Sequence, residues 1–213
     1  MKKAIVIGST GMVGTQLIEL LINSNEYSEI VSLVRRTSGI THPKLSEHLV
    51  DFDKIETWSP FVKGDVLFSC MGTTIAKAKT KENQYKIDYS YQYNVAETAS
   101  ANGVQTYVLI SSAGANPKST VFYSKMKGQL DEAVLKLPFK NIFILRPGQL
   151  YGNRTEKRLG EKTGLSVMFF LNRVGILRKY KPIHAHEVAR AMINIAENKQ
   201  TAIVASGDIF KLI

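Results

Sequence analysis

The sequence predicts a doubly wound α/β fold, a parallel sheet covered by helices on both faces. Three features of the chain point to it. Short apolar runs alternate with segments of helical periodicity from one end to the other. The first run, Ala4 to Ile7, stops at a glycine, as a buried parallel strand does at its carboxyl end. The turn that follows, Gly8-Ser9-Thr10-Gly11-Met12-Val13-Gly14, leads straight into a helical pattern. Strand-then-helix alternation of this kind closes only as parallel strands joined by crossover helices.

The elements follow in order. Lys2 and Lys3 precede Ala4 to Ile7, an apolar stretch too short for a signal-peptide core, so a strand is expected there. Val13, Leu17, Leu20 and Leu21 repeat at helical spacing. Ile30 to Val34 reads as the second strand and Val66, Leu67 and Phe68 as another. Glu82 to Ala101 reads as one long helix ended by Asn102-Gly103. Val104 to Ile110 returns to strand, Thr120 to Leu137 to helix stopped before Pro138, and Asn141 to Leu145 to strand. After Pro147 the rhythm breaks. Residues 150–182 are rich in Arg, Lys and Gly, with an amphipathic stretch from Leu165 to Val174, and are expected to form a small C-terminal substrate lobe with Phe169-Phe170 packed against the main body. Glu187 to Glu197 reads as a helix with Val188, Ala191, Met192 and Ile195 on one face, and Ala202 to Ala205 as a last strand. No internal repeat is present, and residues 1–213 read as a single domain.

Composition excludes several classes. A chain of 213 residues with 44% hydrophobic and 22% charged residues can bury a real core and is not expected to be disordered. One cysteine, Cys70, rules out an intrachain disulfide scaffold and fits a reducing cytosol, so a cytoplasmic protein is expected. The longest apolar runs fall far short of the ~20 residues of a spanning helix, so no membrane partner is expected. The net charge of +10 reads as a soluble basic surface that in part serves a phosphate-bearing ligand. Nucleic acid is an unlikely partner: the densest basic cluster, Lys77, Lys79 and Lys81, lacks interleaved aromatic stacking platforms. His42, His48, His184 and His186 show no metal-ligand spacing, and His184-Ala185-His186 reads as the capped start of the helix at Glu187; no metal is expected. Nothing around Cys70 suggests a catalytic thiol.

The glycine turn has the spacing G-x-x-G-x-x-G. The first glycine permits a tight turn, the second lets backbone approach a pyrophosphate, and the third lets helix and strand pack closely. The helix N-terminus then offers free N–H groups to phosphates. Gly8, Ser9, Thr10, Gly11, Met12, Val13 and Gly14 are therefore candidate cofactor contacts. The second strand ends in Arg35-Arg36, where binders of NAD place a carboxylate for the ribose hydroxyl. A guanidinium pairs with the 2′-phosphate of NADP, so NADP(H) is expected in preference to NAD(H).

Tyr123 and Lys127 stand at i and i+4 of a predicted helix and share a face. A tyrosine is a poor base at neutral pH, and a nearby ammonium is expected to lower its pKa so that it can exchange a proton with a substrate oxygen. Ser111-Ser112 closes the preceding strand, at the edge where ligands bind in such sheets.

The pieces Val6 to Gly14, Leu33-Val34-Arg35-Arg36, Cys70-Met71-Gly72-Thr73-Thr74, Ser111-Ser112-Ala113-Gly114-Ala115, Tyr123-Ser124-Lys125-Met126-Lys127-Gly128 and Arg146-Pro147-Gly148-Gln149-Leu150-Tyr151-Gly152 together resemble the short-chain dehydrogenase/reductase superfamily. Within it they are most similar to the atypical extended branch, the Tat-interacting-protein oxidoreductases and their bacterial relatives. The resemblance implies a Rossmann-like fold. It implies Tyr123 as catalytic acid/base with Lys127 beside it, Ser112 orienting the substrate and Ser111 supporting it. It places Asp51 and Phe52 at the adenine, Cys70, Met71, Gly72 and Thr73 along the cofactor, and Pro147, Gly148 and Leu150 at the nicotinamide side. Extended members often carry a catalytic asparagine in the long helix; this chain has Asp88 there. The expected function is an NADP(H)-dependent oxidoreductase acting on a small carbonyl/alcohol pair, as a monomer or homodimer. A non-catalytic NADPH-binding regulatory protein and a nucleoside-diphosphate-sugar epimerase or dehydratase are the alternatives.

Overall fold

Alternating side chains explain the layers. In the computed structural model, which describes residues 1–152, 182–198 and 200–213, β1 (Lys2–Ile7) turns Ala4 and Val6 to one face and Ile5 and Ile7 to the other, all four wholly buried. The same split recurs in β4 (Val66–Ser69), β5 (Thr106–Ile110) and β6 (Asn141–Arg146): Phe68, Val108 and Phe143 face one way, Leu67, Leu109 and Ile144 the other. Strands apolar on both faces must be covered twice. Helix α1 (Met12–Asn23) covers the first face with Leu17 and Leu21, beside α7 (Ala185–Ala196) with Val188 and Met192. Trp58 of α2 (Ile55–Trp58), Val95 of α5 (Tyr91–Ala101) and Leu130 of α6 (Phe122–Val134) cover the second.

The sheet has seven strands in the order β3-β2-β1-β4-β5-β6-β9, all parallel, with β2 spanning Tyr27–Val34, β3 Leu45–Leu49 and β9 Ala202–Ala205. The order reverses between β1 and β4, and the crevice at that switch point is where such sheets bind nucleotides. A two-stranded parallel ribbon joins β7 (Leu150–Tyr151) to β8 (Ile183–His184). The doubly wound, Rossmann-like expectation holds. The expected substrate lobe at 150–182, with Leu165 to Val174 and Phe169-Phe170, lies outside the described residues except for 150–152 and 182.

The differences from the sequence reading have local causes. Strand β2 begins at Tyr27, three residues before the apolar run, because Tyr27 is itself wholly buried. No apolar run marks strand β3: it is an edge strand with the half-polar sequence LSEHL, and its burial never rises above intermediate. The long helix is present but not uniform. It opens as α4 (Lys81–Tyr85), widens into a π-helical turn over Lys86–Ser90, and continues as α5. Helix α7 starts as expected from a capping device. His184 Nδ1 accepts from the His186 N–H at 3.2 Å while the Glu187 carboxylate accepts from the His184 N–H at 3.0 Å.

Helix α6 lies against the loop that leaves β5, and one glycine sets the distance. A Cβ at Gly128 would collide with the backbone of Asn116 and Pro117. Backbone cannot yield as a flexible side chain does, so Gly128→Ala should cost about 2 kcal/mol. A thermal melt should show Tm lowered by roughly 4–8 °C; an unchanged Tm would show that the loop moves freely.

Candidate active site

Every sequence-predicted cofactor segment falls at the carboxyl end of a strand. The glycine turn follows β1, Arg35-Arg36 follows β2, Asp51-Phe52 follows β3, Cys70 to Thr73 follows β4, Ser111-Ser112 follows β5, and Pro147 and Gly148 follow β6. Parallel topology alone brings these six stretches to one rim.

At the glycine turn, Gly8 has φ +79°, and a Cβ there would sit 2.5 Å from the carbonyl carbon of Cys70 and the amide of Met71. Only glycine permits that left-handed geometry and contact together. Gly11 N–H donates to Gly8 O at 2.9 Å, and α1 starts with no side chain capping its first amides. A glycine-bounded turn ending in an uncapped helix N-terminus fits a dinucleotide pyrophosphate. The side chains of this stretch divide. Thr10 is exposed, whereas Ser9 is buried and its hydroxyl accepts from Ser32 at 2.7 Å, so Ser9 ties the turn to β2; Val13 is in the core. Phe52 is likewise a core residue, stacked on Tyr91 at 5.3 Å. Cys70 packs its sulfur 3.8 Å from that of Met192, and burial pushes its thiol far up, which leaves no thiolate for catalysis.

The catalytic candidates stand on α6 and around it. Lys127 is only 3% exposed and its Nζ donates to Ile110 O, at the end of β5, at 3.2 Å. Burial lowers its pKa, opposed by the charges of Asp88 and Asp131. Asp88 lies in the π turn, which turns its carboxyl inward: Oδ1 accepts from the Thr73 N–H at 2.6 Å. Burial pushes Asp88 up to about 6, against the pull of Lys127 and the hydrogen bonds from Thr73 and Gln84.

Tyr123 is 40% exposed, with the Ser112 hydroxyl close by. Its phenol is pushed up to about 12, by the surrounding protein first and the Asp88 charge second, with the Ser112 hydrogen bond opposing. The expected depression by Lys127 is not found: that ammonium is bonded to Ile110 O and lies in the fields of two carboxyls. Tyr123 is thus a phenol at neutral pH.

Two residues with no role in the sequence reading complete the site. Asp131, 1% exposed, accepts from Arg146 Nε at 2.9 Å and from its Nη2 at 2.8 Å, both on Oδ2. The Ser111 hydroxyl and Asp131 Oδ1 are buried without completing a hydrogen bond. Asp131 repeats the four-residue spacing of Tyr123 and Lys127, which is the signal that marks it; Arg146 stands on another strand and has no such signal.

A model of the NAD dependent epimerase/dehydratase family matches residues 4–208. The chain belongs to this family. Full-length relatives agree: it is 36% identical to Protein FMP52-1, mitochondrial, of Scheffersomyces stipitis over 91% of this chain and 88% of that one. It is 34% identical to Protein FMP52, mitochondrial, of Candida albicans over 95% of this chain and 94% of that one. Among solved structures it is similar to MoeE5 in complex with UDP-glucose and NAD, with TM-score 0.73 and 15% identity over 99% of this chain and 79% of that one. It is also similar to the Bordetella bronchiseptica enzyme WbmH in complex with NAD+, with TM-score 0.72 and 16% identity over 99% and 78%. These structural likenesses show the fold. The relatives' names overturn the expectation of a cytoplasmic protein, which rested on a lone cysteine. One free thiol is compatible with any compartment that does not enforce oxidation, so it never carried that conclusion.

As a member of this family, the chain places a titrating carboxyl beside its buried lysine. Folding raises the Asp88 pKa, so between about pH 4 and 6 the folded chain holds a proton that the unfolded chain releases. That stabilisation is present in acid and withdrawn as pH rises through about 6, by about 3 kcal/mol in all. The Asp88→Asn variant lacks it. The stability of the variant relative to the parent, from urea unfolding, should therefore increase between pH 4 and 7; a flat difference would place Asp88 in solvent-like surroundings.

Proposed function

We propose that this chain is an NADP(H)-dependent oxidoreductase that interconverts a small carbonyl compound and its alcohol. The observation that carries the reading is the convergence of Tyr123, Ser112 and Lys127 on the rim that also holds the glycine turn, with Arg35 and Arg36 rather than a carboxylate after β2. The resemblance of these motifs to the Tat-interacting-protein oxidoreductases supports the same class.

Bound NADPH would supply the hydride that reduces the carbonyl carbon. Each of the remaining tasks belongs to the protein. The phenol of Tyr123 donates its proton to the substrate oxygen as the alcohol forms, and the Ser112 hydroxyl holds that oxygen and opposes the rise in the tyrosine pKa. Lys127, anchored on Ile110 O, would hold the nicotinamide ribose. Because Tyr123 is 40% exposed, solvent returns its proton. Asp51 and the backbone of Met71 to Thr73 line the nucleotide side, and Pro147, Gly148 and Leu150 the opposite side.

An epimerase or dehydratase is the second reading. It is favoured by the family and by neighbours bound to UDP-glucose or UDP-glucuronic acid with NAD. Such an enzyme uses the same tyrosine but regenerates its cofactor.

A panel of small aldehydes and ketones, followed by loss of NADPH absorbance, separates the readings. Net consumption is expected. Tyr123→Phe should lower kcat by about 10²-fold or more while leaving the NADPH dissociation constant, measured by calorimetry, within about threefold. Sugar-nucleotide turnover without net consumption would establish the second reading. Cofactor binding with no turnover of either kind would leave a sensor.

A further inference from the structure

We propose that Asp131, gripped by Arg146, is a positioning residue: it keeps Lys127 charged while leaving the donors of that ammonium free for a ligand. The ligand group is the hydroxyls of the nicotinamide ribose, so the inference rests on the reading of Lys127 given above.

Tyr123, Lys127 and Asp131 follow one another at four-residue steps along α6 and share a flank of the helix. Lys127 is 3% exposed, and the hydrogen bond it makes among the described residues is the one to Ile110 O at 3.2 Å. An ammonium carries three donors, so two are left over. One neutral carbonyl is poor compensation for a charge at that depth, and burial alone lowers the lysine pKa. The charges of Asp88 and Asp131 oppose that fall. They act through space. Asp88 Oδ1 is committed to the Thr73 N–H at 2.6 Å, in the segment that runs on into α3 (Ile75–Ala78), and Asp131 Oδ2 is committed to Arg146. Lys127 is thus balanced without spending a donor on either carboxyl.

The grip on Asp131 has an uneven form. Arg146 Nε and Nη2 both converge on Oδ2, at 2.9 and 2.8 Å. A pair whose task was only to tie β6 to α6 would gain most from the fork in which each N–H meets its own oxygen. Here Oδ1 is spared. It is buried without a partner, as is the hydroxyl of Ser111, the residue after Ile110. Burial raises the Asp131 pKa, and Ser111, Arg146 and Lys127 oppose it in that order. Arg146 therefore helps a carboxyl that is 1% exposed to stay ionised, and the ionised carboxyl does the same for the lysine.

The groups that bear on the Lys127 charge come from each element packed around it. Asp88 belongs to the π turn, Tyr123 and Asp131 to α6, and Arg146 to the end of β6, while Ile110 O and the Ser111 hydroxyl lie at the end of β5. Removing the Asp131 charge takes away an anion that favours the ammonium, so Lys127 must lose its proton at lower pH.

The test follows Lys127 directly, in the full chain without cofactor, by NMR of lysine labelled with ¹³C at Cε, its signal identified by its absence in Lys127→Arg. In Asp131→Asn the titration of Lys127 should move down by about one pH unit or more. Asp131→Glu, which keeps the charge, should restore it towards the parent. Asp131→Asn combined with Arg146→Met leaves no unpaired guanidinium and should show the same downward movement; it carries the measurement if the single variant does not fold. The pH at which NADPH binding weakens, read by calorimetry, should move with the titration. A Lys127 titration unmoved in the Asn variants, whatever their Tm, would reduce the Asp131–Arg146 pair to a structural tie and overturn the proposal. A titration that moves while NADPH binding keeps its pH profile would establish the hold of Asp131 on the ammonium and overturn the assignment of Lys127 to the cofactor.

Discussion

A lysine that is 3% exposed is costly to bury, and the arrangement of the site follows from how that cost is met. The Lys127 ammonium finds two kinds of compensation, from three groups. Ile110 O, at the end of β5, accepts its hydrogen bond. Asp88 and Asp131 supply opposite charge from two helices. Each of these is tied in turn to another strand end: Asp88 to the Thr73 amide after β4, and Asp131 to Arg146 at the end of β6. One ammonium thus couples the ends of β4, β5 and β6. The π turn at Lys86–Ser90 belongs to the same account, because it widens the helix where Asp88 must point inward.

The other half of the rim is governed by close approach of backbone rather than by charge. Gly8 brings the turn after β1 against Cys70 and Met71, at the point where the strand order reverses. The segment after β4 therefore serves both halves. Its Thr73 amide donates to the Asp88 carboxyl, while its Cys70 and Met71 backbone meets the glycine turn. A shift in this segment would be felt at the nucleotide and at the lysine together. Strand-end loops in a parallel sheet make such sharing natural, since neighbouring loops have no room to act independently.

Much of this was legible in the residues. The glycine spacing, the arginines after β2 and the i, i+4 relation of Tyr123 and Lys127 are local patterns with direct physical meaning, and the fold brings all of them to one rim. What was not legible depends on quantities a linear pattern lacks. Strand β3 exposes one face at the sheet edge, so its residues never form an apolar run. The π turn changes hydrogen-bond register without changing composition. The Asp131–Arg146 pair spans two elements fifteen residues apart. The tyrosine pKa was expected to fall because only its helical neighbour was in view; the folded chain adds burial and the Asp88 charge, and both act the other way.

That reversal bears on the resting state of the tyrosine. Lys127 and Arg146 contribute two positive charges around the site, and Asp88 and Asp131 supply two acidic groups to meet them. With both carboxyls ionised the cluster is balanced, and a phenolate on Tyr123 would add an unmatched negative charge to it. The resting phenol, with its pKa near 12, follows from burial first and from the Asp88 charge second. A phenol with a raised pKa keeps its proton at neutral pH but is a weaker acid toward a substrate oxygen, so transfer from it is helped where the bound reactants bring that pKa down. The folded chain by itself therefore fixes the resting protonation state of Tyr123, and the positive charge of Lys127 and Arg146 is spent on Asp88 and Asp131 rather than on the phenol.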